Sequence, residues 1–165
     1  MPKTNNTDLV STIIRKKALK LLTWREHSRL ELHQKLVQRG FLSEQIAPVL
    51  DQLTATKLLD EERYAETYAY SRIVKGYGPL RIARELRARG IHGDVVTSIL
   101  LALDGSWMSK LSELQGKIFK NLPTTITEKI QQTRVLYQYG FSLDQIEQFF
   151  KKMNNRNTSN LNLDQ

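Results

Sequence analysis

Residues 81–100 read RIARELRARGIHGDVVTSIL. Ile82, Ala83 and Leu86 fall on one arc of a helical wheel, and Arg81, Arg84 and Arg87 fall on the opposite arc. Gly90 then breaks the pattern. Glycine takes left-handed backbone at low cost and commonly ends a helix for that reason. A second apolar run, GDVVTSILLAL, follows at once, with Asp94 placed to cap it. The stretch predicts helix, glycine turn, helix.

The same unit recurs along the chain. Gly40, Gly90 and Gly140 lie 50 residues apart, in the contexts QRGF, ARGI and QYGF. Leu36, Leu86 and Leu136 stand four residues before each glycine, and Ile46, Val96 and Ile146 six after. Leu50, Leu100 and Phe150 follow at ten, and Leu53, Leu103 and Met153 at thirteen. A fixed period of this length marks a repeat architecture. The helices after the turns are SEQIAPVLDQL, GDVVTSILLAL and SLDQIEQFFKKM, with Ser43, Asp94 and Ser142 as expected N-caps. Ser142 and Gln145 also have capping-box spacing.

One further helix fits before each pair: RKKALKLLTW, EERYAETYAYSRIV and SKLSELQGKIFKNL. Asp60, Glu61 and Glu62 open the second, where carboxylates favour the positive helix start. The expected fold is therefore all-α, three tandem three-helix repeats with about nine helices and no sheet. Units of this size bury little surface alone and stack on their neighbours, here in an elongated row that is free to curve. The expected divisions are a mobile tail over 1–12, repeats over 13–59, 60–104 and 105–153, and a disordered Asn-rich tail over 154–165.

With 165 residues, 40% of them hydrophobic, the chain can bury a core without metal or disulfide staples. It has no cysteine, which removes thiolate catalysis, cysteine-ligated zinc and disulfides together. No apolar run reaches the length of a membrane span, and the first residues lack a signal-peptide pattern, so the expectation is a cytoplasmic protein without membrane contact. The net charge of +8 is uneven. Residues 15–39 carry eight Lys or Arg against Glu26 and Glu31, and residues 72–89 carry six against Glu85. Two basic blocks on a slightly acidic remainder point to polyanion contact or an acidic protein partner.

The residues give little for an enzyme. His27 and His33 are six apart, not the four that place two ligands on one helix face, and His92 sits in a loop-like slot, so all three are expected to be exposed or half-buried. The DEER run at 60–63 is explained as a helix start. KGYGP at 75–79 lacks the Gly-Lys-Ser/Thr ending of a phosphate loop and has no preceding strand, so it reads as a hinge or connector between repeats. Tyr77, taken as an exposed aromatic between Lys75 and Arg81, suits base stacking with backbone contact. Sequence-specific DNA readout is disfavoured, because SEQIAPVLDQL and GDVVTSILLAL carry no Lys or Arg to read bases. The cations precede the turns instead. Arg25, Arg29, Lys35 and Arg39 form one candidate surface, with Lys17 and Lys20 beside it; Lys75, Tyr77, Arg81, Arg84 and Arg87 form the other.

Two blocks resemble the RecX family of bacterial recombination regulators. In the first, Arg25–Glu26–His27–Ser28, Glu31–Leu32 and Lys35–Leu36 with Arg39–Gly40 carry the likeness. In the second it rests on Asp60, Arg63, Tyr64, Ala65, Lys75, Gly76, Gly78, Pro79, Ile82, Glu85, Leu86 and Gly90–Ile91. It covers about 15–103, and the third repeat follows in pattern only. The resemblance implies a monomeric protein without catalytic residues or cofactor. Its implied partners are the RecA recombinase and the filament that RecA forms on single-stranded DNA. It implies inhibition of filament extension, strand exchange, ATP hydrolysis and SOS coprotease activity, in DNA repair by homologous recombination. The alternatives left by the residues are a basic single-strand binder that competes with RecA for DNA, and a scaffold for another acidic protein.

Overall fold

The computed structural model describes residues 6–161. Among them are nine α-helices in three successive triplets, and no strand. The first triplet is α1 (Asn6–Trp24), α2 (Arg29–Val37) and α3 (Ser43–Ala55). The second is α4 (Glu61–Val74), α5 (Pro79–Ala88) and α6 (Gly93–Ala102). A 3₁₀ turn at Asp104–Ser106 leads into α7 (Trp107–Phe119), α8 (Ile126–Gln138) and α9 (Leu143–Leu161).

The repeating glycines end α2, α5 and α8 in the same way. Their φ angles are +91° at Gly40, +78° at Gly90 and +102° at Gly140. Each amide returns to the carbonyl three residues back, and the next amide reaches the aligned leucine: Phe41 N to Leu36 O, Ile91 N to Leu86 O, Phe141 N to Leu136 O. This is the Schellman pattern. The leucine carbonyl closes the turn while its side chain is fully buried in all three copies. The other aligned apolar positions are buried or half-buried as expected.

The described residues divide into two compact units. One takes the chain up to Tyr68 together with Leu86–Val96; the other takes Ala69–Glu85 and the chain from Thr97 onward. In the first, α1, α2 and α3 pack on one another around Ile14, Leu32, Leu36, Ile46, Leu50 and Leu53. In the second, α7, α8 and α9 pack mutually, with Trp107 set edge-on to Phe141 at 6.4 Å. Beneath them the buried amides of Gln115 and Gln132 bond each other at 3.1 Å, and both donate to the Asn121 carbonyl. The middle triplet serves both units, since α4, α5 and α6 each contribute residues to both.

Two local expectations are corrected. Ser43 is the first residue of α3, not its cap; the cap position is Leu42, whose amide is taken by the Gln45 side chain. Asp94 lies within the first turn of α6, whereas Ser142 and Gln145 do form the capping box. Among the described residues, helix extends into both spans expected as tails. Helix α1 starts at Asn6, because Val10 and Ile14 continue the apolar stripe of Ala18 onto the core. Helix α9 runs on to Leu161, although Asn154–Ser159 are exposed. Adding residues to a formed helix costs far less than starting one. Residues 1–5 and 162–165 of the expected tails lie outside the described residues.

Candidate interaction surfaces

In the first unit, the residues quoted for the family resemblance build a polar latch. Ser28 caps α2: its hydroxyl accepts from Glu31 N at 3.2 Å, and the Glu31 carboxylate accepts from Ser28 N. Glu31 also takes bonds from Arg25 at 3.0 Å and from the Tyr64 hydroxyl at 3.0 Å, with Arg89 at 3.8 Å. Burial raises the Glu31 pKa, but the bonds from Arg25, Tyr64 and Ser28 outweigh it and hold the carboxyl below its usual range. Burial and the Glu31 charge push the Tyr64 phenol well upward, so it stays a donor.

His27, expected to be exposed or half-buried, is only 1% exposed. Its Nδ1 lies 3.0 Å from the Arg25 carbonyl and its Nε2 2.8 Å from Lys35 Nζ. A carbonyl only accepts and an ammonium only donates, so Nδ1 carries the proton and the ring is neutral. Burial, together with the charges of Arg25 and Lys35, lowers its pKa accordingly. Asp60 caps α4 by accepting from Arg63 N at 3.1 Å, a bond that lowers its pKa. Arg63 in turn grips Glu26 through two nitrogens and the Lys57 and Leu58 carbonyls. The DEER run is thus a helix start with a clamp.

Several candidate cations are therefore spoken for inside this unit. Arg25 holds Glu31, Arg29 pairs with Asp51 at 2.7 Å, and Lys35 holds His27. Arg39 is exposed and, among the described residues, reaches only the Lys35 carbonyl. Arg87 is exposed with no side-chain partner among the described residues, as are Lys17 and Lys20 on α1. Trp24, which the sequence reading passed over, is 81% exposed and lies on the same stripe of α1 as Lys17 and Lys20, at spacings of seven and four. An unburied tryptophan beside two lysines at helical spacing was the available signal.

In the second unit, the Gly-Tyr-Gly-Pro turn lies between α4 and α5 and so does not connect repeats along the chain; it is a joint in space, whose other half is the third glycine turn. Gly78 N donates to Tyr139 O at 2.8 Å and Leu80 N to Gly140 O at 2.9 Å. A Cβ on Gly78 would lie 2.6 Å from the Gly140 carbonyl, and one on Gly140 would strike Arg81. The first unit contains the counterpart 50 residues earlier, where a Cβ on Gly90 would lie 2.9 Å from that of Leu30. The beginning of the middle helix of one repeat thus abuts the glycine turn of the next, in both units.

Tyr77 is half-buried, not exposed. The Arg81 guanidinium sits 3.8 Å from its ring centre, and Tyr139 packs at 5.8 Å. Arg81 also pairs with Glu85 at 3.0 Å, and Glu85 takes Arg72 at 2.8 Å. Tyr77 and Arg81 therefore brace the joint. Lys75 and Arg84 remain exposed without a side-chain partner among the described residues. Arg84 borders a groove of about 360 Å³ lined by Leu80, Arg81, Tyr137, Gln138 and Gly140. Among the described residues no three His, Asp or Glu gather to hold a metal, and no helix is long and apolar enough to cross a membrane.

Glycine-jointed three-helix repeats with basic exposed helix faces define the class: a tandem helical-repeat protein. Comparison with known families makes this specific. Residues 15–53 match the first three-helix domain of RecX, and residues 60–100 match its second three-helix domain. The regulatory protein RecX of Halorhodospira halophila is 39% identical over 137 residues, which cover 82% of this chain and 85% of that protein. That of Pseudomonas fluorescens is 41% identical over 134 residues, covering 81% and 86%. The crystal structure of RecX from Lactobacillus salivarius superposes with a TM-score of 0.79 over 88% of this chain and 97% of that one; at 21% identity it supports the fold. The chain belongs to the RecX family of regulatory proteins.

Proposed function

We propose that this chain is a non-enzymatic regulator of RecA. It binds RecA and the filament on single-stranded DNA in the cytoplasm, and it inhibits filament extension, strand exchange, ATP hydrolysis and SOS coprotease activity. The observation that carries this reading is RecX identity of about 40% across four-fifths of the chain. In support, the residues of the first matching block, with Tyr64 and Arg63 of the second, form the latch that orders the first unit. The partner contacts fall to the cations left outward: Arg39, Lys75, Arg84 and Arg87. Arg25, Arg29, Lys35, Tyr77 and Arg81 hold the surfaces in shape and contribute at their exposed edges. The three repeats remain the functional divisions.

The test adds the purified chain to preformed RecA filaments while ATP hydrolysis is followed. Inhibition well below one molecule per DNA-binding site supports action on the filament. Inhibition only at DNA saturation supports the second reading, competition for single-stranded DNA. Trp24 with Lys17 and Lys20 favours some direct DNA contact, because exposed aromatics stack bases and lysines meet phosphates. Replacing both lysines by glutamine should then flatten the salt dependence of DNA binding by roughly 0.7 log units per lost contact.

A further inference from the structure

Helix α8 has two apolar faces. One, with Leu136 and Gln132, is buried in the α7–α8–α9 core. The other is open: Ile126, Ile130 and Tyr137 are 81%, 56% and 53% exposed. At spacings of four, four and three, Ile126, Ile130, Arg134 and Tyr137 follow one stripe of the helix. The stripe ends at the groove bordered by Leu80, itself 51% exposed, and Arg84. Isolated exposed apolar residues need no explanation, but three on one helix stripe, gathered around an arginine, point to an interaction site.

The repeat pattern shows what the stripe is not. Ile130 stands 50 residues after Leu80 and 100 after Leu30, both of which lie at a joint with the following repeat. In α8 that joint cannot be made. The helix begins at Ile126, a turn earlier than its counterparts, and the amide of Lys129 is already bonded to the Thr125 carbonyl. Amides corresponding to those of Gly78 and Leu80 are inside the helix. A second copy docking by the same geometry is therefore disfavoured.

The chemistry of the stripe selects among other occupants. Tyr137 and Arg134 could meet a base and a phosphate, but Ile126 and Ile130, which make up the rest of the stripe, offer neither a stacking face nor a phosphate contact, which favours protein over nucleic acid. Tyrosine and arginine around an apolar centre are the residue types enriched in protein interfaces. Arg134 and Arg84 are exposed and lack side-chain partners among the described residues, so the face is complementary to carboxylates. We propose that this face of α8 docks a segment of the protein partner that presents apolar side chains flanked by Asp or Glu. Resting on the function proposed above, that partner is a RecA subunit of the filament. The third repeat then supplies the apolar anchor, and the basic faces supply charge steering.

The experiment compares wild type with I126S/I130S/Y137A, and with Y137A alone, on RecA filaments and on single-stranded DNA without RecA. All three side chains are outward, so circular dichroism and melting should be unchanged; Y137A serves if the triple variant unfolds. The expected result is about a tenfold rise in the concentration needed to inhibit filament ATP hydrolysis, with DNA affinity unaltered. Inhibition at the wild-type concentration overturns the docking face while leaving the proposed function standing. A parallel loss of DNA affinity makes it a nucleic-acid surface instead. Wild-type dimers that the variant abolishes, seen by sedimentation, make the occupant a second copy. A wild-type chain without effect on filaments removes the proposed function and the partner assigned here together.

Discussion

Tyr64 donates its hydroxyl hydrogen to Glu31 at 3.0 Å, tying the first turn of α4 to the first turn of α2. Both helix starts also carry their own caps, Asp60 and Ser28. One phenol thus joins two locally stable segments that are 33 residues apart. With Tyr64 3% exposed, its bond to a carboxylate should contribute about 1.5–3 kcal/mol. Tyr64→Phe keeps the ring and should lower stability by that amount in urea unfolding. An unchanged midpoint would show that Arg25 and Ser28 suffice to hold Glu31.

The neutral ring of His27 gives the first unit a pH response. Burial, with the charges of Arg25 and Lys35 beside it, holds its pKa in the folded chain below the ordinary histidine value of about 6.5. A depressed folded value means that the stabilisation is complete above pH 6.5 and is lost as pH falls through the native value. Protonation would set Nε2–H against the Lys35 ammonium, donor against donor. The melting temperature should therefore fall below pH 6.5 before the carboxylates titrate. His27→Gln should flatten that first decline. The depressed Glu31 and Asp60 add a separate loss at lower pH, as pH drops below their ordinary values.

Two glycines of equal sequence role should respond unequally to alanine. Gly40 and Gly140 both have positive φ, but a Cβ on Gly40 meets no atom of the described residues within 4 Å, whereas one on Gly140 meets Arg81. Gly40→Ala should cost about 1–2 kcal/mol, the price of left-handed backbone alone. Gly140→Ala should cost more, because the backbone of the opposing turn must also yield. Equal losses in parallel unfolding curves would mean that the joint opens without penalty.

Arginines three residues apart on α5 should separate into two kinds. Arg84→Glu with Arg87→Glu should leave the melting curve unchanged and weaken inhibition of RecA filaments roughly tenfold. Arg81→Glu should lower stability by about 1–3 kcal/mol, since it uncovers Tyr77 and sets two carboxylates side by side at Glu85. A double variant of Arg84 and Arg87 with undiminished inhibition would return the partner contact to other residues.

The helices, the glycine turns and the buried leucines were legible because each is set within about ten residues of chain. Leu36, Leu86 and Leu136 sit where the turn needs both a carbonyl and an apolar anchor, so their period survives in the sequence. The joints were not legible, since Gly78 and Gly140 meet through backbone groups 62 residues apart. Charge was the weakest guide. Arg81 and Arg84 look alike on a helical wheel, yet one is braced by Glu85 and Tyr77 and the other is open. The burial of His27 had a signal that went unused: Ser28 and Glu31 directly after it have capping-box spacing.

The joints also give the array a polarity of growth. Gly90 and Gly140 each receive the preceding repeat, while among the described residues nothing lies against the turn at Gly40. At the other extreme, α8 has used its first amides within its own extra turn. A repeat packed against the Gly40 turn would meet no atom of the described residues there, whereas one joined to the start of α8 would first have to open that helix's extra turn.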